Sequence, residues 1–164
     1  MRFIADLMLG RLCRWLRFFG HDVVNAPEGD DSVVVEQWKG SGRVMLTRDR
    51  ELARRCSSDS LYVVSDHVME QLRQVVGEFG LDPTSGLFTR CSLCNGLLKA
   101  ADPRNVQIPH GVRDRGIELL ECPDCGKVYW EGTHTDKIRK VAEQLAVELK
   151  LQEDQLPGDT DTIP

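Results

Sequence analysis

The sequence predicts an α/β fold: a small parallel sheet with helices on both faces, followed by a short-stranded, cysteine-rich module and a C-terminal helix. Three observations carry this expectation. Short apolar runs alternate with amphipathic stretches up to about residue 80, the pattern of βαβ units. A stretch containing Pro and Gly, "GLDPTSG" at 80–86, then reads as a linker. Beyond it, four of the six cysteines fall into two C-x-x-C pairs with 27 residues between them.

Taken in order, "RFIAD" (2–6) reads as a buried strand and "LMLGRLCRWLRFF" (7–19) as a helix stopped at Gly20. "DVVNA" (22–26) is a second strand, with Asp22 as a turn residue. "SVVVEQWK" (32–39) is a helix in spite of three valines, whose branched side chains are stiff there. "RVMLT" (43–47) is a strand and "DRELARRC" (49–56) a helix. "LYVVS" (61–65) is a strand, and "DHVMEQLRQVVGEF" (66–79) an amphipathic helix capped by Asp66 beside Ser65. "IELLEC" and "KVYWEG" flank the second cysteine pair as a hairpin. In a helix over 136–150, Ile138, Val141, Leu145 and Leu149 share one face. The expected division is therefore 1–82, 87–135, a helix at 136–150 and an acidic, disordered tail at 151–164.

Composition narrows the function. With 41% hydrophobic and 29% charged residues the chain can build a core. A net charge of −5 excludes coating nucleic acid by bulk charge and leaves room for a local basic surface. No apolar run approaches the roughly 20 residues of a membrane span. The N-terminus is interrupted by Asp6 and several arginines, unlike a secretory signal. The expectation is a soluble, cytoplasmic protein with no membrane partner.

Without an export signal, paired C-x-x-C motifs point to a metal before a disulfide framework. Cys91, Cys94, Cys122 and Cys125 complete a tetrahedral zinc site with no further ligand, as in a four-cysteine zinc ribbon. Gly126 permits the tight turn after the second pair, and Asn95-Gly96 stands in the same place after the first. Tyr129, Trp130 and His134 are candidates for stacking on bases, or for packing. Cys13 and Cys56 read as small core residues.

Carboxylates mark the strand ends. Asp6 follows the first strand, Asp49 the third and Asp66 the fourth, while Asp30 and Asp31 lie in the loop after the second. In an open parallel sheet these positions gather at one edge, where active sites form. Clustered carboxylates repel unless a divalent cation joins them, and Mg²⁺ or Mn²⁺ held this way activates water toward a phosphodiester. Asp49 also suits helix capping, and the two roles are compatible. Arg11, Arg14 and Arg17 recur every third residue after Asp6, a stripe suited to phosphates or to a solvated face; Arg48 and Arg50 flank Asp49.

These residues resemble a PIN-like nuclease domain. More closely, "FIADLMLGRLCRWLRFFGHDV", "GDDS", "VMLTRDRELA", "RCSLCNGLL" and "CPDCGKVYWEGTH" resemble the small ribonuclease family named after the C-terminal domain of the nematode mutator-seven exonuclease, over about residues 2–140. The resemblance implies a metal-dependent ribonuclease domain followed by a zinc ribbon, with RNA as partner. It implies an acidic site of Asp6, Asp31 and Asp49, with Asp30 as the alternative to Asp31 and Asp66 as the fourth carboxylate. The carboxylate that PIN domains place in a middle helix is displaced here, because Glu36 stands away from the loop. The rival expectation is a non-catalytic RNA- or protein-binding adaptor that recognises its partner through the ribbon.

Overall fold

The computed structural model describes residues 1–113 and 116–153. The elements alternate as β1 (Arg2–Ala5), α1 (Gly10–Phe18), β2 (Asp22–Asn25), α2 (Asp31–Trp38), β3 (Val44–Thr47), α3 (Arg50–Cys56), β4 (Ser60–Tyr62) and α4 (Val68–Glu78), with a 3-10 turn at Leu7–Leu9. The four strands are all parallel, in the order β2-β1-β3-β4. From β1 the chain steps to one side for β2 and then crosses back for β3. The point where direction reverses therefore lies between β1 and β3, the place where parallel sheets open a crevice.

Alternation along the strands feeds two apolar layers. Phe3, Ala5 and Leu46 face a core shared with α1 and α4. Ile4 and Met45 face the opposite way, against Val34, Val35, Leu52 and Cys56 of α2 and α3. Helices on both faces agree with the sequence expectation.

Two boundaries differ from it. The fourth strand stops at Tyr62 because Gln74 accepts from the Val64 N–H and donates to the Tyr62 carbonyl, while Gln71 donates to that of Ser65. Side chains of α4 thus replace strand partners. Nor does Asp66 cap α4: the Ser65 hydroxyl accepts from the His67 N–H, and the Asp66 carboxylate rests against the His67 imidazole.

The second half holds a three-stranded antiparallel sheet of β5 (Lys99–Ala100), β6 (Leu119–Glu121) and β7 (Val128–Trp130), with the short helix α5 (His110–Arg113) before β6. Helix α6 (Thr133–Glu153) returns to the first half. Its Ile138, Ala142 and Leu145 enter the larger core, and Glu148 pairs with Arg73 of α4. The helix includes residues 151–153 of the expected tail; 154–164 lie outside the described residues.

The segment expected as a free linker is packed. Leu81 and Pro83 are buried, and a Cβ at Gly20 would lie 2.2 Å from the Gly86 carbonyl oxygen. Gly20 also has φ +89°, so glycine is required there twice over.

A four-cysteine centre and a carboxylate edge

The two cysteine knuckles are built alike. In each, the first Cys N–H donates to the carbonyl five residues on (Gly96, Lys127), and its own carbonyl accepts from the residue four on (Asn95, Gly126). Asn95 and Gly126 both take left-handed φ, 75° and 70°. The part of Gly126 is thus played by Asn95, which tolerates that region better than most side chains. Gly96 is needed for another reason: a Cβ there would lie 2.2 Å from Oδ2 of Asp124.

The four Sγ atoms lie within 4.8 Å of one another, with Cys91–Cys125 at 3.6 Å and Cys94–Cys122 at 3.4 Å. Tetrahedral zinc with bonds of about 2.3 Å separates its sulfurs by roughly 3.8 Å, so the donor set fits that ion. Burial alone would raise the Cys91 thiol. The Tyr129 hydroxyl and the backbone N–H groups of Cys94 and Leu93 outweigh it and lower Cys91, while the crowding of thiols in one site raises Cys94 and Cys125. This employs Tyr129 inside the module, not on a base. By contrast, burial pushes Cys13 up to about 11 and also raises Cys56, leaving both as core thiols.

The first knuckle is docked on the outer edge of β2. Asn95 Oδ1 accepts from the Val23 N–H, and its Nδ2 donates to Asp22. Arg17 is 3% exposed; it donates to the carbonyls of Val23, Ser92 and Leu93 and to Asn25 Oδ1. Arg17 therefore leaves the expected phosphate stripe: its donors are spent on the knuckle and β2, while Arg11 and Arg14 remain exposed. Asp22 is the first residue of β2 and not a turn. Burial opposes its charge, but Arg43, Asn95 and Arg90 lower its pKa overall.

At the other end of the strands, Asp6 follows β1 and Asp49 follows β3, where the strand order reverses direction. The Asp6 N–H bonds to the Leu46 carbonyl, which fixes the residue at the sheet edge. The Thr47 hydroxyl donates to Asp6 Oδ2 (3.0 Å) and accepts from the Asp49 N–H (2.9 Å). One buried hydroxyl thus links both positions. Asp6 Oδ1 accepts from the Met8 N–H, and Asp49 Oδ1 caps α3 through the Glu51 and Leu52 N–H groups. Asp49 Oδ2 bonds no other described residue.

The remaining acids stand further round the edge. Asp30 caps α2 through the N–H groups of Ser32 and Val33. Asp31 begins α2 and lies 3.6 Å from Arg55 of α3. Asp66 is exposed after β4. Among the described residues, only the four cysteines form a group of three or more ligand side chains close enough to share one ion. What the edge offers instead is Asp6 and Asp49, linked through Thr47. Mg²⁺ fits such a set, since it keeps several waters and needs only one or two protein carboxylates.

Sequence reasoning missed Thr47, whose link to Asp6 runs to a strand 41 residues away. It also missed Asn95 and Asp22 as docking residues, whose partners are remote in sequence. No helix of the described residues is long and apolar enough to cross a membrane. The family model described as Mut7-C RNAse domain matches residues 1–142. Neither a curated protein nor a solved structure matches the chain.

Proposed function

The chain belongs to the Mut7-C RNAse domain family, and from that premise we propose that it is a metal-dependent ribonuclease whose working residues stand at the carboxyl edge of the parallel sheet. The observation that carries this reading is the Thr47 hydroxyl, which ties Asp6 to Asp49 at the point where the sheet reverses direction.

Asp6 and Asp49 would hold Mg²⁺ or Mn²⁺, with Asp31, Asp30 and Asp66 at the margin of the same edge. Bound there, such an ion supplies charge stabilisation to a phosphodiester and lowers the pKa of a coordinated water. The chain's own residues do the positioning. Thr47 orients Asp6, and the first turn of α3 fixes one oxygen of Asp49 and leaves the other for a ligand. The Asp31–Arg55 pair joins the start of α2 to α3. Exposed Arg11 and Arg14 on α1, the helix that follows Asp6, would bind RNA phosphates, and Arg48 beside Asp49 belongs to the same surface. The four cysteines would hold a structural zinc, and the ribbon would assist recognition of RNA or a protein partner. A cytoplasmic setting keeps such thiols reduced.

The test is cleavage of single-stranded RNA by purified protein. Activity with Mn²⁺ or Mg²⁺ that disappears in EDTA is expected; equal cleavage in EDTA contradicts the metal role. One observation favours the adaptor reading: no three carboxylates of the edge, among the described residues, meet at one point. That reading predicts RNA or protein binding, no cleavage under any divalent cation, and binding unaffected by Asp6→Asn.

A further inference from the structure

Arg17 carries a buried charge whose hydrogen-bond partners are all neutral. It is 3% exposed, and its guanidinium donates to the carbonyls of Val23, Ser92 and Leu93 and to the amide oxygen of Asn25. Among the described residues no carboxylate pairs with it. Asp22, which opens the adjoining strand, is taken by Arg43 and Arg90. Arginine keeps its proton in a protein, so the charge cannot be shed. Neutral acceptors satisfy its donors but do not cancel its charge, and a buried ion without a counter-ion is strongly destabilising.

The groups that can supply negative charge here are thiols. Burial lowers the Arg17 pKa, while Cys13, Cys91 and Cys94 act to raise it. Burial pushes Cys13 up to about 11, so it stays neutral. Cys91 and Cys94 belong to the four-cysteine centre. Arg17 Nη1 reaches the carbonyls of Ser92 (3.2 Å) and Leu93 (2.9 Å), the residues between those two cysteines. The guanidinium therefore lies against the loop that carries half of the ligands. A divalent zinc held by four thiolates is a doubly negative centre, the anion that this cation lacks.

We infer that Arg17 is the counter-charge of the zinc–thiolate centre: its guanidinium, buried between β2 and the first knuckle, offsets the negative charge that metal binding fixes in the ribbon. This rests on the reading of the four cysteines as a zinc site. It makes Arg17 a positioning residue for the metal and ties zinc affinity to α1, an element outside the ribbon.

The experiment measures zinc affinity of the full chain by competition with a chromophoric chelator, in wild type, Arg17→Lys and Arg17→Gln, with thermal melting of the zinc-loaded proteins alongside. Losing an outer partner of a metal ligand typically weakens metal affinity about 10–100-fold, the fall expected in Arg17→Gln. Arg17→Lys breaks the hydrogen-bonded fork and keeps the charge. It should melt below wild type and still hold zinc far more tightly than Arg17→Gln. A purely structural Arg17 predicts otherwise: both variants lose zinc together, in step with their melting temperatures. That result overturns the inference, as does a folded Arg17→Gln with wild-type zinc affinity. Should Arg17→Gln fail to fold, Arg17→Lys decides: wild-type affinity at a lower melting temperature supports the counter-charge, and a fall of about tenfold or more overturns it. A wild type that takes up no zinc overturns the zinc reading itself, and the role of Arg17 falls with it.

Discussion

Thr47 is the residue on which the carboxylate edge turns. It is fully buried, and its hydroxyl both donates to Asp6 and accepts from the Asp49 backbone. Thr47→Val keeps the shape and removes both bonds. Residues that orient metal ligands typically change affinity or activity by about 10–100-fold when lost. Thr47→Val should therefore need more Mn²⁺ for half-maximal cleavage by about that factor, read from a metal titration. A variant that melts lower but shows an unchanged titration would make Thr47 purely structural. Asp22 allows a second prediction at the same scale. Its folded pKa is depressed, so its contribution is present above the unfolded value of about 3.9 and is lost as pH falls through the lower folded value. Asp22→Asn should cost about 1–3 kcal/mol near neutral pH, the usual cost of leaving buried partners unmet. Denaturant curves should bring wild type and variant together as pH drops below that window. A constant gap down to the acid limit would show that the Asp22 charge is not the source.

Among the elements, the contact between α1, β2 and the first knuckle matters most. β2 is an edge strand, and such edges invite unwanted pairing unless they are covered. Here Asn95 covers the Val23 N–H and Arg17 covers its carbonyl, so the knuckle caps the sheet. Asn95→Ala should speed hydrogen exchange at Val23 while the amides of β1 and β3 stay protected; uniform protection would mean that the cap adds nothing. The α/β alternation, the cysteine pairs and the β6–β7 hairpin were legible in the sequence because period and spacing are local signals. The end of β4 was not, since Gln71 and Gln74 of a later helix decide it. Arg17 misled for a similar reason. Spacing of three put it on a stripe with Arg11 and Arg14, but a knuckle 75 residues away buries it. Asp6 and Asp49 could be read from sequence as strand-end acids, whereas the hydroxyl between them could not, because a threonine closing a strand carries no signal of its own.

For the whole molecule, net charge is −5, so RNA must be held by a local surface. Arg11→Ala with Arg14→Ala should weaken binding to all sequences and reduce the salt slope by at most about 0.7 per lost contact on single strands. Arg17→Ala should instead lower stability with little change in slope, as its guanidinium faces the interior. The cysteine centre joins the two halves, because the knuckle that caps β2 is shaped by the same four thiols. Elemental analysis should find one zinc per chain, and structural zinc contributes roughly 10–16 kcal/mol to modules of this kind. Chelation should therefore unfold the ribbon and loosen β2, seen as faster exchange in both.

The central claim is that Asp6 and Asp49 share a divalent cation at the switch point of the sheet. Anomalous scattering from a crystal soaked in Mn²⁺ tests it most directly. The account predicts a peak about 2.2 Å from a carboxylate oxygen of Asp6 and of Asp49, on the side away from the bonds to Thr47 and α3. It would be contradicted by full Mn²⁺ occupancy elsewhere with no density between these two carboxylates.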